Sequence, residues 1–381
     1  MGRMQQTGRR ILVIYNPVAG QRSRGRFKAH LDALRRLGCH IVVRETRARG
    51  DAEAFAACAD SDACDAVVVA GGDGTINEVV NGLARRTVPL GIIPLGTANV
   101  LAAELGLCDG PVQTATAIAH AEPHWISTGI ANGRRFSMMA GIGFDAHVVA
   151  NVSPKLKRQI GKLAYVWQTL ATCRSFSFPR YRLDIDGVTH EAASAVIANG
   201  HFYAGRFVCA PQARLDSNLL HVCLFPTSGA AAALYYATTL TVGQLKTLSD
   251  VTVIPATTIG ITIAGGDIRD DPVQGDGDTL TYLPAHITSD PASLPVLAGP
   301  RAFLSGHSEG ARGFKSARSQ NHAPSDLTTA SSDSQCGGVS TPAAQQILRQ
   351  DVRSVFGSQI FNQFSGADAV LAPLASLQAR L

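Results

Sequence analysis

Runs of consecutive apolar residues alternate with one-sided amphipathic stretches from Ile11 to Leu105. Ile11–Tyr15, Ala66–Ala70 and Leu90–Pro94 have the length and β-branched content of buried strands, and His40–Glu45 reads as a further strand. Between them, Arg26–Leu37 places Phe27, Leu31, Leu34 and Leu37 on one helical face, closed by Gly38. Asp51–Ala59, Ile76–Leu83 and Ala98–Leu105 read as further helices. This β-α-β-α order predicts a parallel sheet wound by right-handed crossovers, with ligands at the carboxyl ends of its strands.

After Pro123 the period changes. Ile126–Ile130, Phe136–Ala140, Tyr181–Ile185, Ala195–Ala198, His221–Phe225 and Thr258–Ile263 are short alternating runs separated by Gly, Asn and Asp. They predict an antiparallel β-sandwich. A helical insert over 153–171 interrupts it, with Leu156, Ile160, Leu163, Trp167 and Leu170 on one face. Lys155, Lys157, Arg158 and Lys162 crowd its first half against the helix dipole, as a lipid surface or a phosphate would favour. The competing explanation is a helix packed on its own domain with solvated lysines. From 298 onward Ser, Gly, Ala and Gln dominate, the composition of a disordered tail with a weak helical pattern over 343–364. The expected organisation is a nucleotide-binding α/β domain over 9–123, a β-sandwich substrate domain over 124–297 and the tail over 298–381.

Composition narrows the partners. The 381 residues are 45% hydrophobic and 17% charged, as in a globular enzyme. A net charge of +5 suits an anionic membrane surface or anionic substrates and is too weak to argue for nucleic acid. The eight cysteines form no CxxC pair and read as reduced core residues. No apolar run is long enough to span a bilayer and no signal peptide is visible, so the expected location is cytoplasmic, with peripheral contact at the inner membrane face. The oligomeric state stays open, a homodimer included.

The chemistry concentrates where strands meet helices. Gly71-Gly72-Asp73-Gly74-Thr75 follows a buried strand and opens a helix, so backbone N–H groups and the helix dipole can receive a phosphate. The GxxxxGK[ST] loop and the GxGxxG fingerprint are both absent. Asp73 would repel a bare phosphate, which points to a companion cation such as Mg²⁺ or to proton acceptance; a Gly-rich turn with a capping Asp is the plainer alternative. Pro94-Leu95-Gly96-Thr97-Ala98-Asn99 and Asn16-Pro17-Val18-Ala19-Gly20 are two more such turns, and together they imply one nucleotide cleft. Far downstream, Asp276-Gly277-Asp278 offers two carboxylates on a β turn as base or metal ligands. Asp267–Asp271 reads as a solvated loop.

Together these stretches, with Ala140-Gly-Ile-Gly-Phe-Asp145, resemble the diacylglycerol kinase catalytic-domain family, which includes bacterial lipid kinases and sphingosine and ceramide kinases. The resemblance runs in order from Ile11 to Val296. It implies a phosphofructokinase-like or NAD kinase-like nucleotide domain, a β-sandwich domain, ATP between them and Mg²⁺. It places Asn16, Pro17, Gly20, Thr46, Gly71, Gly72, Asp73, Gly74, Thr75, Ile76, Asn77, Glu78, Gly96, Thr97 and Asn99 around ATP. It makes Asp278 the proton acceptor for a lipid hydroxyl, at the position of the Glu in the family's D-G-E motif, with Asp276 and Asp73 as further catalytic candidates. A structural Mg²⁺ would sit by Asp216, Ser217 and Leu219, although Ser217 replaces the usual Asp. Val100 likewise replaces an Asp common after the GT-x-N segment. Two alternatives are a kinase of NAD kinase type acting on a soluble substrate, and a non-catalytic lipid or nucleotide sensor.

Overall fold

The computed structural model describes residues 8–20, 23–151, 176–265, 270–300 and 302; the expected insert and nearly all of the expected tail lie outside them. The first part runs β1 (Arg10–Tyr15), α1 (Ser23–Arg36), β2 (His40–Glu45), α2 (Asp51–Ala57), β3 (Ala66–Gly71), α3 (Asp73–Gly82), β4 (Leu90–Pro94), α4 (Val100–Glu104) and α5 (Pro111–His120). Strands pair in parallel in the order β2-β1-β3-β4. The near-continuous apolar runs of β1, β3 and β4 follow from burial on both faces, whereas β2 is an exposed edge strand. In β3, Val67 and Val69 pack with Ala52, Val79 and Val80 of α2 and α3, whereas Val68 and Ala70 pack with Leu34 and Ile118 of α1 and α5. Helix α3 begins at Asp73, three residues before the expected Ile76, because the Asp-Gly-Thr segment is itself its first turn.

The second part contains β5 (His124–Ala131), β6 (Arg134–Phe136), β7 (Met139–Ile142), α6 (Phe144–Asn151), β8 (Tyr181–Ile185), β9 (Val188–Ala192), β10 (Ser194–Ala198), β11 (Phe202–Tyr203) and β12 (Phe207–Val208). It continues with β13 (Leu220–Phe225), α7 (Ala230–Thr241), β14 (Thr252–Ala256), β15 (Thr258–Ile263), β16 (Pro272–Gly275), β17 (Asp278–Tyr282) and β18 (Ala285–Val296). One face of the sandwich is the six-stranded sheet β14-β13-β10-β7-β16-β17. The other is not a separate sheet. β18 pairs antiparallel with β5 and β15 and then meets β4 in parallel at Val296–Leu90, so one ten-stranded sheet runs from the α/β part into the sandwich. Phe136, Tyr181, Ile259 and Ile287 from that sheet interlock with Ile142, Ile197, Val222 and Val273 from the other. The single strand expected over Phe136–Ala140 is two, β6 and β7, which leave Ser137 and Met138 to step from one sheet to the other.

Two arginines of β6 make ion pairs, and the first ties the two parts together. Arg134 donates to both oxygens of Glu53 on α2, each at 2.8 Å, and Arg135 pairs with Asp290 of β18 at 2.6 Å. The Arg134 guanidinium holds the Glu53 carboxyl below its usual range. A depressed carboxyl contributes stability above the unfolded-state value of about 4.3, and loses it as pH falls through the folded-state value. Glu53→Gln should therefore cost about 1 kcal/mol at pH 7, a modest figure because the pair is partly solvated. Urea midpoints of variant and wild type should draw together as pH falls from 7 through the depressed folded-state value, which denaturation across an acid pH series checks. No helix among the described residues is long and apolar enough to cross a membrane.

Candidate functional site

The turns after β1, β3 and β4 meet at the carboxyl edge of the sheet. Leu95 and Gly96 donate their N–H groups to the Gly71 carbonyl at 2.9 and 3.2 Å, so the two later loops face each other directly. A Cβ on Gly96 would lie 2.6 Å from the Gly72 Cα, an approach that only glycine permits. Gly20 has φ +70°, and a Cβ there would lie 2.1 Å from the Leu95 carbonyl oxygen, so the first loop seals onto the third. Asn16 donates from Nδ2 to Thr75 Oγ1 at 2.8 Å, joining the first loop to the second. Pro17 follows it in the same turn, and Thr46 is held at the end of β2 by its N–H to the Tyr15 carbonyl at 2.9 Å. Gly74 and Thr97 remain exposed at the rim. The N-terminus of α3 has no side-chain cap, which leaves first-turn N–H groups for an anion.

Several residues expected at the nucleotide are committed to the protein itself. Asp73 accepts from the backbone N–H groups of Asn99 at 2.9 Å and Val100 at 2.7 Å, and so caps α4 from across the cleft. Burial pushes its carboxyl above the usual range, against these two N–H bonds. Asp73 therefore serves a helix other than the one that its own turn opens, since α3 itself has no side-chain cap. The Ile76 side chain is buried in the core. Glu78 accepts from the Ala52 N–H at the start of α2 at 3.2 Å. Asn77 donates to Asp276 and to the Arg135 carbonyl, both at 3.0 Å, while Asn99 closes a ring onto both backbone polar atoms of Gly96.

Asp276 and Asp278 flank a tight hairpin turn. Gly275 pairs with Asp278, and the two residues between them have φ of +52° and +83°, the backbone that an Asp-Gly turn supplies. The turn sends the two carboxylates different ways. Asp276 is buried and accepts five hydrogen bonds, from Asn77 Nδ2, Ser137 N, Ser137 Oγ, Met138 N and Met139 N. It anchors the crossing between β6 and β7 and has no orientation left for a substrate proton. Asp278 stays half-exposed, and its Oδ2 lies 3.9 Å from where a Gly74 Cβ would be. A second acid is thus delivered to the phosphate loop from two hundred residues downstream. Ser137 and Arg49 escaped the sequence reading; Arg49, 3.0 Å from Asp278, was signalled only by the two arginines that follow Thr46 at a strand end.

The expected structural-ion site does not fit a cation. Both oxygens of Asp216 accept from the Arg214 guanidinium, at 2.9 and 2.8 Å, which holds its carboxyl low. Ser217 Oγ accepts from the Leu219 N–H at 3.1 Å. Among the described residues no three His, Cys, Asp or Glu side chains gather as metal ligands. The expectation of a solvated loop at Asp267–Asp271 also needs correction at its described end: Asp271 is buried and accepts from Tyr181 Oη at 2.8 Å. Asp145, quoted in the resemblance but given no role, accepts from Gln274 Nε2 at 3.1 Å, and burial pushes its carboxyl up.

A parallel α/β half with glycine turns at its strand ends, closed by an acid from an antiparallel sandwich, defines a phosphotransferase. The model of the diacylglycerol kinase catalytic domain matches residues 10–130, and that of the YegS C-terminal NAD kinase beta sandwich-like domain matches residues 138–298. The chain belongs to the diacylglycerol kinase family and is a lipid kinase. Its relatives include a Pseudomonas aeruginosa protein named "Probable lipid kinase YegS-like", 35% identical over 57% of this chain and 72% of that one. A Mycobacterium tuberculosis protein named diacylglycerol kinase is 29% identical over 76% of this chain and 94% of its own. A crystal structure of a diacylglycerol kinase from Bacillus anthracis superposes with TM-score 0.62 and 25% identity, covering 78% of this chain and 99% of that chain.

Proposed function

We propose that this lipid kinase transfers the γ-phosphoryl group of ATP to the hydroxyl of a membrane lipid such as diacylglycerol or a sphingoid base. The observation that carries the proposal is Asp278 Oδ2 lying against Gly74 at the mouth of the phosphate loop. In this mechanism the phosphates rest over Gly72–Thr75, where the uncapped first turn of α3 faces them. The lipid oxygen attacks the γ-phosphorus in line, its proton passes to the Asp278 carboxylate, and the bond to the bridging oxygen breaks to release ADP. Mg²⁺ enters with the nucleotide, as part of the MgATP substrate, and neutralises charge on the phosphates. Asp73 and Asp276 position the loops and do not exchange protons. The enzyme works at the inner face of the membrane through peripheral contact.

Radiolabelled ATP offered with a panel of diacylglycerol, sphingoid base, ceramide and isoprenoid alcohol in mixed micelles, and with NAD in buffer, tests this. Label should enter one of the lipids. Label in NAD alone would replace the proposal with the soluble-substrate reading.

A further inference from the structure

Arg49 lies in the loop between β2 and α2 and reaches the hairpin that carries Asp278. The base of this loop is held by hydrogen bonds. Thr46 donates its N–H to the Tyr15 carbonyl, and Asp51 Oδ2 accepts from the N–H groups of Arg47 at 2.7 Å and Ala48 at 2.9 Å. The Arg49 side chain beyond that base is not packed. It is 72% exposed, and its guanidinium reaches Asp278 Oδ2 at 3.0 Å.

A carboxylate beside Gly74 repels an arriving triphosphate, and Arg49 is placed to cancel that charge. A guanidinium held by a half-exposed carboxylate is weakly held, since exposed ion pairs contribute little. Phosphate oxygens carry more charge and accept bidentate bonds from arginine. We infer that Arg49 is a transferable counter-ion. It covers Asp278 in the free enzyme and moves to the nucleotide phosphates when MgATP binds, which exposes the Asp278 carboxylate as proton acceptor only once the phosphoryl donor is in place. This inference rests on the proposed kinase reaction and adds a positioning residue that couples nucleotide arrival to the readiness of the base.

The test is MgATP affinity of the full-length protein, measured by titration calorimetry without lipid, for Arg49→Gln, Arg49→Lys and Asp278→Asn. Transfer predicts opposite signs. Arg49→Gln should weaken binding about tenfold, as loss of a charge-assisted bond does. Arg49→Lys should restore part of that loss, and Asp278→Asn should tighten binding several-fold by removing the competitor for Arg49. A pair that merely holds two loops together predicts the same sign for both partners, because each change breaks the same contact. Arg49→Gln without weaker binding, or Asp278→Asn without tighter binding, overturns the inference. Because no turnover is measured, this outcome is separable from failure of Asp278 as base, which is read from lipid phosphorylation by the same variant.

Discussion

Asp278→Asn is expected to lower kcat for lipid phosphorylation by about 10²–10⁴-fold, the range that a positioned general base supplies. The amide keeps the size and the turn geometry of the carboxylate but cannot take the hydroxyl proton. Stability should barely move, because Asp278 is half-exposed and is engaged by the Arg49 guanidinium and the Thr279 N–H. The variant should bind MgATP at least as tightly as wild type, so the loss falls on turnover and not on nucleotide affinity. Initial rates at saturating ATP and lipid decide the matter. Unchanged turnover would remove Asp278 from the mechanism and leave the cleft without a free acid among the three candidates, since Asp73 and Asp276 are engaged by backbone N–H groups.

The partner change, Asp276→Ala, should act on the fold. It would strip the acceptor from five donors at once, in a buried place. Leaving buried donors unsatisfied costs about 1–3 kcal/mol per group when relaxation is incomplete, so a loss of roughly 3–5 kcal/mol is expected for the cluster. The measurement is the denaturant midpoint, with the slope checked for two-state behaviour. Activity should fall with it, because Asp276 joins the Ser137–Met139 segment, which links the sheets, to Asn77 of α3. A stable Asp276→Ala protein with kcat reduced as far as in Asp278→Asn would reverse the roles assigned to the two acids.

These contrasting outcomes show what was legible from residues alone. β1, β3 and β4 were readable because strands buried on both faces must be apolar throughout, and their ends were marked by Asn-Pro, Gly-Gly and Pro-Leu-Gly. The strand β18 was not readable. Pro291 and Pro295 interrupt it, and its pairing with β5 shifts register between Asp290 and Leu294, so no period of two survives. Its existence depends on partners far away in the chain. Helix α7 was missed for a different reason: an alanine-rich run has high helix propensity but little amphipathic period to detect.

Local sterics and hydrophobic pattern determined the loops at the strand ends, their glycines and hence the phosphate site. Those features depend on a residue's immediate neighbours. Tertiary structure alone decided which acid remains free. Asp73, Asp276 and Asp278 share one side-chain chemistry, yet folding brings backbone N–H groups from residues 99–100 onto the first and 137–139 onto the second. The third is met by a solvent-facing arginine and the rim of the phosphate loop. A carboxylate's role follows from which donors reach it, and those donors come from segments whose proximity is set by packing, not by order along the chain.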